Sequence, residues 1–242
     1  MTTWYTSWFD SPLYAALYRH RDDAEAHASV DLFERTTCLP RHSRVLDLAC
    51  GSGRHVKECL SRGYDVVGAD LAAARLAEAR SLNSSDARLV RCDMKRLPFA
   101  RCFDAVLHLF TAFGYFDDTE QDGQVLDEVS SCLRHGGWYM LDYLNAEAVR
   151  RNLVPVTRSK VNGCIVTQER SIVDDRVVKR ITAECDGHSE EYCEKVRLYD
   201  PESLQSMLVN RGFGIHAVYG NYDGLLFGQD SPRCILISKW EA

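Results

Sequence analysis

The chain has 242 residues, 45% of them hydrophobic and 26% charged, a balance that excludes disordered and fibrous classes and suits one α/β domain with a modest insertion. A formal net charge of -6 speaks against a general nucleic-acid surface, because neutralising phosphates takes clustered Lys and Arg. No window approaches the roughly 18 to 20 consecutive apolar residues of a membrane span, and the opening residues show no basic stretch followed by an apolar one, so a cytoplasmic protein without membrane contact is expected.

In chain order, Ser11 is placed to cap a helix that has Pro12 at its first position and Leu13, Ala16, Leu17 and His20 along one face. A second helix is predicted over residues 22–37 with Ala26, Val30 and Phe33 inward, and Pro40 closes a helical lid of residues 1–40. From Arg44 the pattern alternates between short β-rich runs and helical stretches, the mark of a parallel sheet built from βαβ units. Strands are predicted at 44–48, 64–69, 87–92, 104–109 and 138–143. The helices between them fall at 54–62, stopped by Gly63, at 73–81, and at 119–133, closed by Gly136-Gly137.

After a short helix at 146–153, residues 155–199 read as an inserted antiparallel β lobe. Its strands are predicted at 160–170, 176–185 and 192–198, with turns at Asp174-Asp175 and Asp186-Gly187-His188. A helix at 201–211 ended by Gly212 and strands at 213–219 and 234–240 complete the chain. Of the ten cysteines, Cys50, Cys59, Cys92, Cys102, Cys132 and Cys234 fall in or beside these elements. No pair has C-x-x-C spacing and no Cys/His cluster follows a zinc pattern, so reduced thiols and no metal site are expected.

The chemistry belongs at the carboxyl ends of the parallel strands, where open α/β sheets bind ligands. The first strand runs into Asp47-Leu-Ala-Cys-Gly-Ser-Gly53, where Gly51 and Gly53 permit a tight turn and a close backbone approach. Asp70 ends the second strand, at the spacing from Gly51 expected of a carboxylate that accepts ribose hydroxyls. Asp93 follows the third strand and can accept from an adenine amine, with Met94 against the ring. Three strand ends thus converge on an adenosine-shaped site.

These elements resemble the glycine turn, the ribose acid and the adenine contact of class I S-adenosylmethionine (SAM) dependent methyltransferases. The likeness covers residues 44 to about 143. Trp8-Phe9-Asp10-Ser11-Pro12, the Leu-Asp-Leu-Ala-Cys-Gly-x-Gly-Arg-His run, residues 109–116 and residues 141–145 further resemble a group of bacterial small-molecule methyltransferases. Ala49 stands where a glycine is common.

The resemblance implies a doubly wound, mostly parallel seven-stranded sheet with an antiparallel seventh strand, SAM as cofactor, and methyl transfer to N, O or S of a small organic molecule. It implies that Asp47 orients the methionyl amino group, that Ala49, Cys50, Gly51 and Gly53 line the methionine portion, and that Asp70 and Leu71 hold the ribose. Asp93 and Met94 would hold the adenine, and Leu109 and Phe110 would surround the sulfonium. A nicotinamide-binding domain fits less well, because Val56 occupies the third glycine position of G-x-G-x-x-G. A non-catalytic SAM-binding or scaffold protein on the same fold is the rival reading, and a monomer or homodimer is expected.

Candidate substrate residues are Trp8, Tyr14, Tyr115, Tyr143, Asn145 and Arg197, with core packing as the alternative for the aromatics. Tyr14, Arg19 or Arg21 could reach the methionine carboxylate. Phe116 is a further candidate wall residue. His108 lies within the fourth strand and reads as a satisfied core imidazole. The lobe charges Arg170, Lys179, Arg180, Glu194 and Arg197 either face solvent or bind a charged substrate group. Asn221-Tyr222-Asp223-Gly224 is either a plain turn or a segment that reaches the site.

Overall fold

The computed structural model describes residues 3–19, 23–83 and 87–242. His20, Arg21 and Asp22, assigned above to a helix face, the cofactor and a helix start, lie outside the described residues.

The N-terminal region forms α1 (Trp4–Phe9), α2 (Pro12–Leu17) and α3 (Asp23–Thr37). Sequence reading missed α1 and placed α2 correctly: the Ser11 hydroxyl accepts from the Tyr14 N–H at 3.1 Å, with Pro12 following it. The alternating region runs β1 (Arg44–Leu48), α4 (Arg54–Ser61), β2 (Asp65–Asp70), α5 (Ala73–Leu82), β3 (Arg88–Arg91), β4 (Phe103–His108), α6 (Thr119–Cys132), β5 (Leu133–Leu144) and α7 (Ala146–Asn152). Then come β6 (Val156–Val161), β7 (Cys164–Val173), β8 (Arg176–Cys185) and β9 (His188–Arg197), followed by α8 (Pro201–Val209), β10 (Phe213–Tyr219) and β11 (Arg233–Trp240).

The main sheet has the order β10-β11-β5-β4-β1-β2-β3, with β11 antiparallel to both its neighbours and the other pairs parallel. Successive residues of its central strands serve two cores. Leu46, Leu48 and Val106 pack with Val125, Leu126 and Val129 of α6, while Val45, Ala105 and Leu107 pack with Val30 and Phe33 of α3 and Val56 of α4. Burial on both faces is why β1 and β4 read as nearly continuous apolar runs. Strand order steps outward from β1 to β3 on one side and from β4 to β5 on the other. The switch between β1 and β4 opens a crevice at their carboxyl ends.

A second, four-stranded antiparallel sheet has the order β6-β7-β8-β9. The strand predicted at 160–170 is in fact a hairpin, because Asn162 and Gly163 adopt φ of 49° and 89° and reverse the chain. Gly136 and Gly137 do not close α6, which ends at Cys132. They lie in an irregularity of β5, whose pairing with β4 passes from Phe103↔Leu133 to Ala105↔Trp138. A Cβ on Gly137 would meet the Arg134 carbonyl oxygen at 2.9 Å.

The expectation of reduced thiols is corrected at one pair. Cys164 and Cys185 form a disulfide, because the hairpin register sets these ends of β7 and β8 opposite one another with Cα atoms 4.6 Å apart. The six cysteines named from the sequence are free. Among the described residues no helix is long and apolar enough to cross a membrane.

Candidate functional site

The turn after β1 is built from left-handed backbone. Ala49, Gly51 and Gly53 have φ of 59°, 55° and 78°, and Cys50 accepts the Gly53 N–H at 2.9 Å while donating its own to Ala69 at 3.0 Å. A Cβ on Gly51 would meet nothing within 4 Å, so its open side faces the crevice. Gly53 is small for another reason: a Cβ there would sit 2.8 Å from Asn83 Nδ2 and 3.1 Å from Ala79 Cβ. It seats α4 against α5, while its neighbours Gly51, Ser52 and Arg54 line the cavity.

Asp47 is buried, and its Oδ2 has no hydrogen-bond partner among the described residues. Burial, and next the charge of Asp70, push this carboxyl up to about 8, with Arg54 acting in the opposite direction. A cation brought to Asp47 would meet both the open valence and the unfavourable charge. At the tip of β2, Asp70 accepts the Gly51 and Ala72 N–H groups, each at 2.8 Å, one on each oxygen. Burial raises its carboxyl in spite of these bonds. Each oxygen keeps a lone pair for a ligand hydroxyl. Beyond β3, Asp93 accepts the Lys95 N–H at 2.9 Å, and Asp93, Met94 and Leu71 border the same cavity.

The loop after β4 brings Leu109 and Phe110 to the cavity. Phe110 and Thr111 hold consecutive left-handed conformations, φ 61° and 58°, which cost side-chain-bearing residues roughly 1–3 kcal/mol each unless their surroundings fix them. Asp142 supplies that fixation. Its Oδ2 accepts the Phe110 N–H at 2.9 Å and the Tyr222 hydroxyl at 2.6 Å, its carbonyl accepts the Thr111 N–H at 2.9 Å, and its Oδ1 pairs with Arg233. Arg233 also donates to Thr111 Oγ1 at 3.2 Å and lines the cavity.

The crevice is roofed from two directions, giving a cavity of about 610 Å³, within the usual range for small-ligand sites. Trp4, Tyr5, Phe9, Tyr14, Tyr18 and Arg19 approach from the N-terminal helices, and Val177, Lys179, Glu194 and Val196 from the second sheet. Tyr115 joins the wall against Trp4 and Phe9, with ring centroids 5.4 and 5.5 Å away. Phe116 both borders the cavity and packs in the core.

Four substrate candidates do not line the cavity. Trp8 is fully buried behind it, its Nε1 donating to Glu194 at 2.6 Å. The pleat of β5 sends Tyr143 into the core, where its hydroxyl donates to the Arg197 carbonyl, and turns its neighbour Asp142 towards the β4 loop. Asn145 caps α7 and donates to the Gln229 and Ser231 carbonyls at 3.1 and 2.8 Å. Arg197 reaches Asp117 and Asp122 at the foot of the second sheet.

His108 is the satisfied core imidazole expected of it. Because the Ala112 carbonyl can only accept, Nε2 carries the proton, and Nδ1 accepts from Tyr139, both at 2.9 Å. Burial lowers its pKa to about 4. Sequence reading overlooked Arg54, His55 and Arg233 as wall residues. Burial, followed by the Arg54 charge, holds His55 down at about 3, and its Nε2 has no partner among the described residues. Arg54 and His55 were visible as the Arg-His that follows the glycine turn. Arg233 stands far from every motif and gave no signal.

A doubly wound sheet with a glycine turn, two further strand-tip carboxylates and a roofed crevice is the frame of a ligand-binding α/β protein. Residues 45–137 match the family model described as a methyltransferase domain. A dTDP-3-amino-3,4,6-trideoxy-alpha-D-glucopyranose N,N-dimethyltransferase of Streptomyces venezuelae is 32% identical over 146 residues, 56% of this chain and 60% of that protein. A glycine/sarcosine N-methyltransferase of Parasynechococcus marenigrum is 31% identical, over 58% of this chain and 51% of that protein. The match therefore spans only part of these relatives' length. Over nearly the whole chain, the fold is that of an S-adenosylmethionine-dependent methyltransferase from Clostridium acetobutylicum, with a TM-score of 0.81, 21% identity, and 95% and 97% of the two chains covered. Residues 45–137 thus resemble a methyltransferase domain, set in a fold shared with that methyltransferase.

Proposed function

We propose that this protein transfers the methyl group of SAM to the amine of a small organic acceptor. The observation that carries the reading is the Asp47 Oδ2, without a partner among the described residues, at a cavity that Asp70 and Asp93 also border. When bound, SAM supplies an electrophilic methyl on a sulfonium; the chain's residues hold and shield it. In this reading Asp47 receives the methionyl ammonium, Ala49 to Gly51 leave room for the amino-acid tail, and Arg19, Arg54 or Tyr14 faces its carboxylate. Asp70 and Leu71 hold the ribose, and Asp93 and Met94 the adenine.

The Asp142 network fixes the Leu109-Phe110 backbone, and the aromatic roof excludes water, which suits a displacement whose rate depends on in-line placement. The choice of an amine over oxygen or sulfur is supported by the N-methylating relatives. A neutral amine attacks through its own lone pair, so the transfer step itself needs no base. A scaffold role is disfavoured by the outward face of the second sheet. Along β7 its exposed Ile165 and Val173 sit at opposite ends with Thr167, Glu169 and Ser171 between them, and exposed Val156 of β6 stands opposite Glu169, so polar residues separate these apolar ones.

Two measurements test this. Titration calorimetry of the wild type and Asp70→Ala with SAM is expected to show affinity at least about 10-fold weaker in the variant, since charged hydrogen bonds are lost; equal affinities remove the ribose assignment. Incubation with SAM and a panel of amines, phenols and thiols is expected to release S-adenosylhomocysteine with amines. A wild-type protein that binds no SAM overturns the whole reading.

A further inference from the structure

The β8–β9 register sets Val177, Lys179 and Ile181 opposite Val196, Glu194 and Tyr192, so all six side chains share one face. Ile181 is buried against the N-terminal helices, while Val177, Lys179, Glu194 and Val196 border the cavity. An ion pair on a mostly apolar face, with side chains only 17% and 15% exposed, costs desolvation that a hydrophobic pair would avoid.

The hydrogen bonds of this pair divide into two sets. Glu194 Oε1 accepts from Trp8 Nε1 at 2.6 Å and from the Tyr18 hydroxyl at 2.7 Å, which ties the N-terminal helices to the second sheet. Glu194 Oε2 accepts from Lys179, and Lys179 donates also to the Tyr18 oxygen. Among the described residues this leaves one lone pair on Oε2 and one N–H on Lys179, side by side at the cavity wall. Burial alone would raise the Glu194 carboxyl. The Lys179 charge and the bonds from Lys179, Tyr18 and Trp8 bring it below its ordinary value, so it acts as an acceptor across neutral pH.

Together the pair has no net charge, so it does not favour an anionic or a cationic group. An adjacent donor and acceptor instead match a hydroxyl, which takes a hydrogen bond from Lys179 and gives one to Glu194. We infer that the Lys179–Glu194 pair determines specificity by reading a hydroxyl on the methyl acceptor, with Val177, Val196, Tyr14 and Tyr115 packing on the acceptor's apolar parts. The inference rests on the assignment of amine methylation above.

The test compares cyclohexylamine with 2-, 3- and 4-aminocyclohexanol, which differ from it by one hydroxyl. With wild type, kcat/KM from S-adenosylhomocysteine release is expected to favour at least one aminocyclohexanol by about 10-fold or more, as a site built to bind a hydroxyl does. Lys179→Met alone would strand a buried carboxylate, so the variant to measure is K179M/E194Q, which keeps an acceptor for Trp8 and Tyr18. It is expected to bring the ratio close to one, losing at least about 10-fold more on the aminocyclohexanol than on cyclohexylamine. If the double variant does not fold, E194Q alone reads the same ratio.

Equal losses on all the amines, or an unchanged ratio with a lower melting temperature, would mean that the pair is only a clamp and would overturn the proposal. So would a wild type that binds SAM by calorimetry and shows no preference among the amines or methylates none of them. Absence of SAM binding by the wild type would instead overturn the underlying reading.

Discussion

Asp47 and Ala49 carry the sharpest consequences of the glycine turn. With its folded-state pKa raised from 3.8 to about 8, the Asp47 carboxyl keeps a proton that the unfolded chain has already released. Its contribution therefore lowers stability as pH rises from the unfolded value through about 8. Asp47→Asn removes that cost, so the variant is expected to melt above wild type at pH 8 and close to it at pH 4. If Asp47 receives the ammonium of SAM, binding at pH 7 expels the proton, and the calorimetric enthalpy will vary with the ionisation enthalpy of the buffer. An enthalpy that ignores the buffer would contradict the assignment.

Ala49 gives a second test, because its φ of 59° lies where glycine is at ease. Ala49→Gly is expected to stabilise the protein by about 1 kcal/mol in denaturant unfolding, reversing the usual sign of that exchange. The sequence showed the missing glycine here, but the strain at Ala49 depends on a backbone angle that no residue pattern displays. A side chain's place at the cavity was legible where it sits at a strand tip, as at Asp70 and Asp93. It was not where a side chain's direction depends on the pleat: Tyr143 points into the core, while Asp142 beside it holds the Phe110 backbone.

At the level of elements, the parallel strands and their helices were readable because two-sided burial leaves continuous apolar runs between glycine and proline stops. The second sheet was harder. Its strands are mostly exposed or half-buried, with only Val166, Ile181 and Ala183 buried, so no apolar run marks them, and the Asn162-Gly163 turn was passed over inside a run that looked uniform. Its disulfide was equally hidden, since Cys164 and Cys185 become neighbours only through that register. Thiol titration of the unreduced, denatured protein is expected to find eight reactive cysteines, the number of free ones in the structure. Ten would remove the bridge. Reduction is expected to lower the stability of the second sheet by about 3 kcal/mol, the entropy of closing a loop of this size. Hydrogen exchange of β7 and β8 would show it.

Over the whole molecule, three parts of the chain meet at one cavity: the strand tips, the N-terminal helices and the second sheet. The topological switch between β1 and β4 put the crevice within reach of sequence analysis, because fold class fixes which strand ends converge. Which distant segments cover it was not legible, since the contacts are long-range: Trp8 and Tyr18 meet Glu194, and Asp10 meets α5. The Asp10 carboxylate accepts the Ala74 N–H at 2.8 Å, capping from outside a helix whose own N-cap residue, Ala72, has no side chain able to do so. Asp10→Ala is expected to cost about 1 kcal/mol and to speed limited proteolysis of the segment containing α1 and α2, with bound SAM restoring part of the protection.

That external cap has a kinetic corollary. The Asp10 anchor grips the backbone just past Asp70, and the same two short helices wall the space where the proposed acceptor would lie. If SAM binds beneath these helices as proposed, its exchange is expected to require that they lift. Turnover should therefore be paced by their release, visible in rapid-quench experiments as a first methylation faster than every later one.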